Sequence, residues 1–309
     1  MKEIFVNLKR FEVPKSRGGI CPLDNPKKWI EWVIDESIKY GLGKLQDIRV
    51  TFLLPEALII SAVERLNSYP PKDRENLFIG CQGVFREDIT PGGNFGAFTT
   101  NLPATAARNL GCTWTIIGHS EERKDKLGII ERYDPSYHNN KMSKARAIQV
   151  INGIINDEVL CALKAGLKVL LCVGETAEER GDGTFDEQKP RIAAVLRSQL
   201  EIGLQGIEDE IGTQNIVIGY EPVWAIGPGK TPPGREYISF VSATIKSIVK
   251  EKFNFVPAVV YGGGLKEENA KMIAEIETID GGLVALTRFT GDIAFEPEGL
   301  KNIIAKYVA

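Results

Sequence analysis

Residues 215–231 read NIVIGYEPVWAIGPGKT and carry the strongest indication of the fold. The apolar run 216–219 is short enough to be a strand buried on both faces, and Pro222 ends it because proline cannot continue a hydrogen-bonded ladder. Glu221 therefore stands at the carboxyl end of a buried strand, where an α/β barrel places its chemistry. The apolar and glycine-flanked residues 223–229 predict a lid that packs over a bound molecule. An ordinary strand and turn with a buried aromatic residue is the alternative interpretation.

The size and composition of the chain fit a single globular domain of 309 residues, 43% of them hydrophobic, with a net charge of −3. No basic stripe indicates nucleic-acid binding, and no window approaches the ~20 apolar residues of a membrane span. The amino-terminal residues MKEIFVNLKRF lack the apolar core of a signal peptide. The cysteines form no CxxC pair, which indicates reduced thiols. We therefore expect a cytoplasmic protein that binds neither nucleic acid nor membrane.

Eight short apolar runs alternate with helix-like segments along the chain. The predicted strands are 3–9, 48–54, 77–82, 112–117, 168–173, 216–219, 256–261 and 283–286. This alternation, without a GxGxxG after the first strand, favours an α/β fold of one (β/α)8 barrel over residues 1–309 rather than a doubly wound open sheet. Two segments look inserted: the Pro/Gly-rich segment 13–26, and the polar segment 123–144, which has turn formers and no periodicity.

In such a barrel the carboxyl ends of the strands converge on one face, so polar residues there predict the site. Lys9 follows the first strand, His119 the fourth and Glu221 the sixth. A carboxylate base, an imidazole and a fixed ammonium on one face are suited to moving protons. A structural ion pair between Lys9 and Glu221 is the alternative. No spacing typical of metal ligands is present, so the sequence predicts no metal and no cofactor.

Seven short motifs occur in the order found in one known family. They are NLK from residue 7, GAFT from 96, IGHSEER from 117, CVGE from 172, YEPVWAIGPGKT from 220, YGGG from 261 and DGGLV from 280. With these motifs the chain resembles the triosephosphate isomerase family from the first strand to the eighth. The resemblance implies a TIM barrel that isomerises a small sugar phosphate, dihydroxyacetone phosphate to glyceraldehyde 3-phosphate, through an enediolate. It also implies a homodimer that uses no cofactor.

The resemblance assigns roles to the residues at the strand ends. Glu221 is expected to be the base that moves a proton between adjacent substrate carbons, and His119 is expected to polarise the substrate oxygens. Lys9 and Asn7 would stabilise the developing oxyanion, and Glu121 would orient this group. An apolar lid over the base would raise its pKa by desolvation, which the removal of a weakly acidic carbon-bound proton requires.

The resemblance also assigns the phosphate-binding groups. Residues 222–231 would form the lid, with Gly227 donating its N–H to the phosphate and Trp224 moving against Glu175. Further N–H groups would come from the loop after strand seven, at Gly262, Gly263 and Gly264.

Three departures from the family alter this phosphate grip. The loop after strand seven reads YGGG instead of YGGS, and Pro228 stands in the lid where threonine is common. After strand eight, the pair Ala285-Leu286 replaces two glycines that open a short helix facing the phosphate. Arg288 lies in the lengthened loop just beyond, and we expect it to replace some of the lost donors because guanidinium binds phosphate in a bidentate manner. A solvent-exposed Arg288, or one paired with Asp292, is the alternative.

The residues that pair across the family's dimer interface have changed as well, since Asn101 and Glu122 stand in their place. The retained GAFT motif still predicts a homodimer in which loop 86–101 enters a pocket of the partner, with Thr99 reaching the partner's Asn7 and the partner's Glu121. Two other functions remain open from the sequence. One is an isomerase of another sugar phosphate, such as a tetrulose phosphate, and the other is a barrel that binds a phosphosugar without turnover.

Overall fold

The computed structural model describes residues 1–207, 215–227 and 229–309. Eight parallel strands close into a barrel in chain order, which confirms the predicted (β/α)8 architecture. The strands are β1 (Lys2–Asn7), β2 (Ile48–Leu54), β3 (Leu77–Cys81), β4 (Trp114–Ile117), β5 (Lys168–Val173), β6 (Ile216–Tyr220), β7 (Ala258–Tyr261) and β8 (Gly281–Val284).

The helices pack around the outside of this barrel, and none in the described ranges is long and apolar enough to cross a membrane. They are α1 (Pro26–Lys39), α2 (Glu56–Asn67), α3 (Pro71–Arg74), α4 (Ala104–Asn109), α5 (Ser120–Tyr133), α6 (Lys141–Lys164), α7 (Ala177–Arg180), α8 (Phe185–Gly203), α9 (Arg235–Phe253), α10 (Ala270–Ala274) and α11 (Pro297–Val308).

Two apolar layers hold the fold together. Alternate strand residues point inward and fill the barrel, where the rings of Phe5 and Trp114 meet edge to face at 4.9 Å. The other strand residues face the helices and form the larger outer core. Each fully buried Leu, Ile or Val contributes about 1.5–3 kcal/mol relative to exposure. The filled interior leaves the carboxyl ends of the strands as the face on which polar groups can gather.

The strands are paired unevenly around the barrel. β1 and β2 share six pairs of residues in register, whereas β3 and β4 share two. β7 and β8 share a single pair, Tyr261 with Gly282. The barrel is therefore closed with few ladder bonds at these two positions.

Strand β8 lies two residues earlier than the sequence predicted. It begins at Gly281, which has a φ of 155°, and a β-carbon there would lie 1.8 Å from the carbonyl oxygen of Glu3 on β1. Glycines are poor strand formers by propensity, so the pattern placed the strand too far along the chain. Ala285 and Leu286 consequently lie in the loop after the strand.

The polar insertion is helical, contrary to the prediction of turns without periodicity. Its residues extend α5 to Tyr133 and begin α6 at Lys141, with a short 3-10 turn, Pro135–His138, between them. α5 has no buried residue, so it shows no apolar stripe that a sequence pattern could reveal. Asn140 caps α6 by accepting the N–H groups of residues 142 and 143. An asparagine at this position is a sequence signal for the start of a helix.

Candidate active site

The ends of β4 and β6 meet at the carboxylate of Glu221. This residue directly follows β6 and is only 2% exposed. Its Oε2 accepts the backbone N–H of Ser120 at 2.9 Å, and its Oε1 accepts the Ser120 hydroxyl at 3.1 Å. The Nε2 of His119 lies 3.2 Å from the same Oε1. A buried carboxylate and an imidazole, predicted from separate strands, are therefore in contact.

His119 occupies the amino-terminal cap of α5, and its Nδ1 accepts the backbone N–H of Glu121 at 3.3 Å. A nitrogen that accepts a hydrogen bond carries no proton, so this contact assigns the proton of a neutral imidazole to Nε2. The ring thus presents its Nε2 edge toward Glu221.

The end of β1 supplies an ammonium to the same face. The Nζ of Lys9 lies 2.5 Å from Oε1 of Glu121, and the Lys9 backbone adopts a left-handed φ of 44°. Asn7 accepts the N–H of Lys9 through its side-chain oxygen at 3.1 Å. Burial opposes the ionisation of Glu121, but the Lys9 ammonium outweighs it and lowers the pKa of that carboxyl. The alternative interpretation, a structural ion pair between Lys9 and Glu221, does not hold, because Lys9 pairs with Glu121 instead.

Gln82, just beyond β3, holds this part of the site and was not predicted to belong to it. Its side-chain N–H groups reach the Asn7 side chain and the backbone carbonyls of Lys9 and Leu53, each at 3.1 Å. An amide that bonds three oxygens of two neighbouring strand ends fixes the strained turn at Lys9. The sequence signal that could have identified Gln82 as a site residue is its position at the end of the predicted third strand.

The first part of the lid is tied down by one carboxylate oxygen. Trp224 donates its indole N–H to Oε1 of Glu175 at 2.7 Å, and the hydroxyls of Tyr220 and Tyr237 donate to the same atom at 3.0 and 2.7 Å. Burial raises the pKa of Glu175, and the three donors act against that rise. Farther along the lid, Ala225 is buried and Ile226 is 39% exposed. Pro228 lies outside the described residues.

The glycines after β7 run beside the base. A β-carbon on Gly262 would lie 3.0 Å from Cγ of Glu221, and one on Gly263 would lie 2.8 Å from Cγ of Pro222 and 2.3 Å from the hydroxyl of Tyr261. Such close approach admits only glycine. The predicted phosphate loop is therefore adjacent to the predicted base and to the start of the lid.

The loop after β8 bonds mainly to itself. The N–H groups of Thr287 and Arg288 both donate to the carbonyl of Ala294 at 3.1 Å. The guanidinium of Arg288 donates to the Asp292 carbonyl and forms an ion pair of 3.2 Å with Glu296. A phosphate would have to displace these contacts, so the role of Arg288 in phosphate binding stays a prediction.

Glu122 and Arg123, which follow His119 in α5, hold the turn that precedes it. Gly118, with a φ of 74°, donates its N–H to Oε2 of Glu122 at 2.6 Å, and its carbonyl accepts the Nε–H of Arg123 at 2.8 Å. Arg123 also donates to the carbonyl of Cys172 on β5 at 3.0 Å. Glu122 was interpreted only as a lost interface residue, whereas here it fixes the turn that presents His119.

Glu122 is also one of two carboxylates that share the ammonium of Lys126. Lys126 lies 2.5 Å from Glu122 and 3.0 Å from Glu158 on α6. Burial, together with a hydrogen bond that the protonated Glu158 donates to the Glu122 carboxylate, raises the pKa of Glu158 to about 9. Glu158 thus holds a proton at neutral pH, and one positive charge balances one negative charge in the cluster.

We expect this proton to make the stability of the protein fall as pH rises. In the unfolded chain Glu158 loses its proton near the ordinary value of 4.5, so between about pH 5 and pH 9 this side chain is protonated in the folded chain and ionised in the unfolded chain. The free energy of unfolding should then decrease with pH across that window. Urea unfolding at several pH values should show a shallower decrease for Glu158→Gln, which keeps a hydrogen-bond donor but cannot titrate. An exposed control, Glu277→Gln, should retain the wild-type slope; equal slopes for all three proteins would contradict the assignment.

Neither a metal nor a disulfide is built into this site. In residues 1–207, 215–227 and 229–309, no group of three or more His, Cys, Asp or Glu side chains is placed to hold a metal ion. All five cysteines are free thiols, and four of them are buried.

Known proteins similar to this chain share one description. The family model for triosephosphate isomerase matches residues 36–292. A triosephosphate isomerase of Chloroherpeton thalassium is 35% identical over 69% of this chain and 71% of its own length. One of Oleidesulfovibrio alaskensis is 29% identical over 85% of this chain and 88% of its own length. The crystal structure of the triosephosphate isomerase from Bartonella henselae superposes with a TM-score of 0.67 at 23% identity, over 100% of this chain and 99% of the other, which shows the shared fold.

Proposed function

Since this chain belongs to the triosephosphate isomerase family, we propose that it interconverts dihydroxyacetone phosphate and glyceraldehyde 3-phosphate in the cytoplasm. The observation that supports this most directly is the contact of 3.2 Å between the buried carboxylate of Glu221 and the imidazole of His119. A carboxylate base beside an imidazole suits the transfer of a proton between the carbons next to a carbonyl. The test is an assay of the purified protein with each triose phosphate and, in parallel, with a tetrulose phosphate.

The reaction follows from the placement of these groups. Glu221 would exchange its bonds to Ser120 for contact with the substrate, remove a proton from one carbon and return it to the next. As the enediolate forms, the Nε2–H of His119 would donate to the oxygens of both carbons, and the Lys9 ammonium would stabilise their negative charge. Glu121 would keep that ammonium in place, 2.5 Å away.

The phosphate would be bound on the opposite side of the base. The N–H groups of Gly227 in the lid and of Gly263 and Gly264 after β7 would face it, with the lid closing to exclude water. The N–H of Gly262, which the sequence also assigned to the phosphate, instead donates to the carbonyl of Tyr220 at 2.6 Å. Exclusion of water would protect the reactive enediolate, which otherwise loses its phosphate.

The two other functions considered have less support. The relatives compared are named for the triose substrate, which does not favour a tetrulose phosphate isomerase. A barrel that only binds a phosphosugar has no use for the contact between Glu221 and His119, or for a lysine held in a strained backbone turn.

We also propose a homodimer in which loop 86–101 of one subunit docks beside α5 of the other. Phe95 at the tip of this loop is 88% exposed and has a left-handed φ of 55°, which is unfavourable for phenylalanine. A cavity of about 430 Å³ beside α5 is lined by Glu121, Lys124, Asp125, Gly128, Ile129 and Arg132. Burial of an exposed aromatic ring in such a cavity would offset the cost of its conformation.

Light scattering at micromolar concentration should give the mass of two chains. Phe95→Asp should shift the distribution toward the monomer, because it would place a charge in the interface. Tyr133→Ser removes an equally exposed aromatic residue, 90% exposed, from the far end of α5 and should leave the dimer intact. A monomeric wild-type protein would rule out the arrangement.

A further inference from the structure

The loop after β7 carries a cation, Lys266, whose ammonium lies over an aromatic ring. Its Nζ lies 4.0 Å from the centroid of the Phe289 ring, and within the described part of the chain it forms no salt bridge. An aromatic face orients an ammonium through its quadrupole but does not neutralise its charge. Phe289 is itself 39% exposed, so the pair stands at the open face of the barrel. Lys266 therefore retains its full charge for an anion that approaches from solvent.

The side chain of Lys266 folds back over the glycine turn. Gly264 has a left-handed φ of 89°, and a β-carbon on it would lie 3.9 Å from Cε of Lys266. Asn269 fixes this arrangement, because its side chain accepts the N–H of Lys266 at 2.8 Å and donates to the carbonyl of Gly264 at 3.1 Å. The N–H of Leu265 bonds the carbonyl of Leu283 on β8 at 3.0 Å. The ammonium is thus held beside Gly264 by a rigid turn.

The glycine turn between the base and Lys266 is short. A β-carbon on Gly262 would lie 3.0 Å from Cγ of Glu221, so the turn begins beside the base. Two residues farther on, at Gly264, the chain can have advanced by at most about 7 Å. A substrate with its reacting carbons at Glu221 and a phosphate one or two bonds beyond them would bring that phosphate to Gly264 and Lys266.

In the loop after β8, which neighbours Lys266, several donors that could bind a phosphate are already engaged. The N–H groups of Thr287 and Arg288 are used by the carbonyl of Ala294, and the guanidinium of Arg288 is engaged by Glu296 and by the carbonyl of Asp292. No helix begins directly after β8, so no helix amino terminus faces the substrate from there. A phosphate dianion in this region would take its backbone donors from the lid and the loop after β7, and a cation on the latter loop would balance its charge.

We propose that Lys266 is the phosphate-binding cation of this enzyme and that Phe289 holds its ammonium in place beside Gly264. This assignment rests on the proposed function, because the phosphate is that of the triose substrate. On binding, the ammonium would turn from the ring face to the phosphate oxygens and form charge-assisted hydrogen bonds. The lengthened loop after β8 then contributes an aromatic platform for the cation, and the backbone donors come from the other loops.

The first test is kinetic. Lys266→Gln should raise the KM for dihydroxyacetone phosphate about 10- to 100-fold, as expected for a lost charge-assisted contact, with kcat changed less than about threefold. Lys266→Arg should restore most of the affinity because it keeps the charge. Lys271→Gln, an exposed lysine on α10, is the control and should behave as wild type. An unchanged KM in Lys266→Gln, or an equal rise in Lys271→Gln, would overturn the assignment.

The second test needs no turnover. Calorimetric titration with glycerol 3-phosphate should show binding to the wild type that weakens by a similar factor in Lys266→Gln, and glycerol should show no difference between the two. If the wild type isomerised no triose phosphate but bound glycerol 3-phosphate through Lys266, the proposed function would fail and the phosphate site would stand. If both proteins bound it equally while the enzyme remained active, the function would stand and the role of Lys266 would fail.

Discussion

Replacing Glu221 by glutamine is expected to lower kcat by at least ~10²–10⁴-fold, the usual loss when a positioned base is removed. The amide can still accept a hydrogen bond from Ser120, which now donates to both carboxylate oxygens, so the fold should survive. Activity should be measured with both triose phosphates, together with circular dichroism and the melting temperature.

Glu221→Asp is the informative companion to this variant. It keeps the charge but withdraws the carboxylate by one methylene, and a displacement of about 1 Å typically costs on the order of 10²-fold. We therefore expect residual activity above that of the glutamine variant. A glutamine variant with near-normal turnover would remove Glu221 from the role of base.

Gly174→Ala is expected to damage both stability and activity. Gly174 follows β5, and a β-carbon there would lie 1.8 Å from the backbone carbonyl oxygen of Glu221. The neighbouring backbone is held in place, since Gly174 exchanges two hydrogen bonds with the Gln199 side chain at 2.8 and 3.0 Å. Overpacking of this kind costs typically ~1–3 kcal/mol, and any shift of Glu221 reduces kcat as well.

The control for this steric effect is Gly153→Ala in α6. No atom lies within 4 Å of a β-carbon at Gly153, so alanine there should stabilise the helix by roughly 0.5–1 kcal/mol. Urea unfolding and steady-state kinetics on both variants separate the clash from the mere addition of a methyl group. Wild-type stability and activity in Gly174→Ala would show that the backbone yields without cost.

The strands of the barrel were predictable where apolar runs are bounded by polar residues. β2 and β5 begin and end where the sequence predicted, at residues 48–54 and 168–173. β8 was misplaced because its first two residues are glycines, which are required by the close approach of β1 and not by any local preference. The helical insertion escaped prediction because α5 has no fully buried residue, so its sequence shows no apolar stripe.

The site shows the same division between local and tertiary causes. Lys9, His119 and Glu221 were predictable because each follows a strand, and the topology of a barrel brings strand ends together. The bonds from Ser120 to Glu221 and the clamp of Glu122 and Arg123 on Gly118 depend on the exact path of a turn. No pattern of residue types encodes such a path, so these contacts emerge only in three dimensions.

The uneven pairing of the strands has a mechanical consequence. Because β7 and β8 share one pair and β3 and β4 share two, the barrel can be regarded as two arcs, β4–β7 and β8–β3, joined at two thin seams. Opening a seam breaks few ladder hydrogen bonds, so breathing of the barrel should concentrate there. The turn at Lys266 and the ring of Phe289 belong to the loops on either side of one seam. A ligand bound between these loops would oppose the opening of this seam. Binding of the ligand would therefore make the whole barrel more rigid.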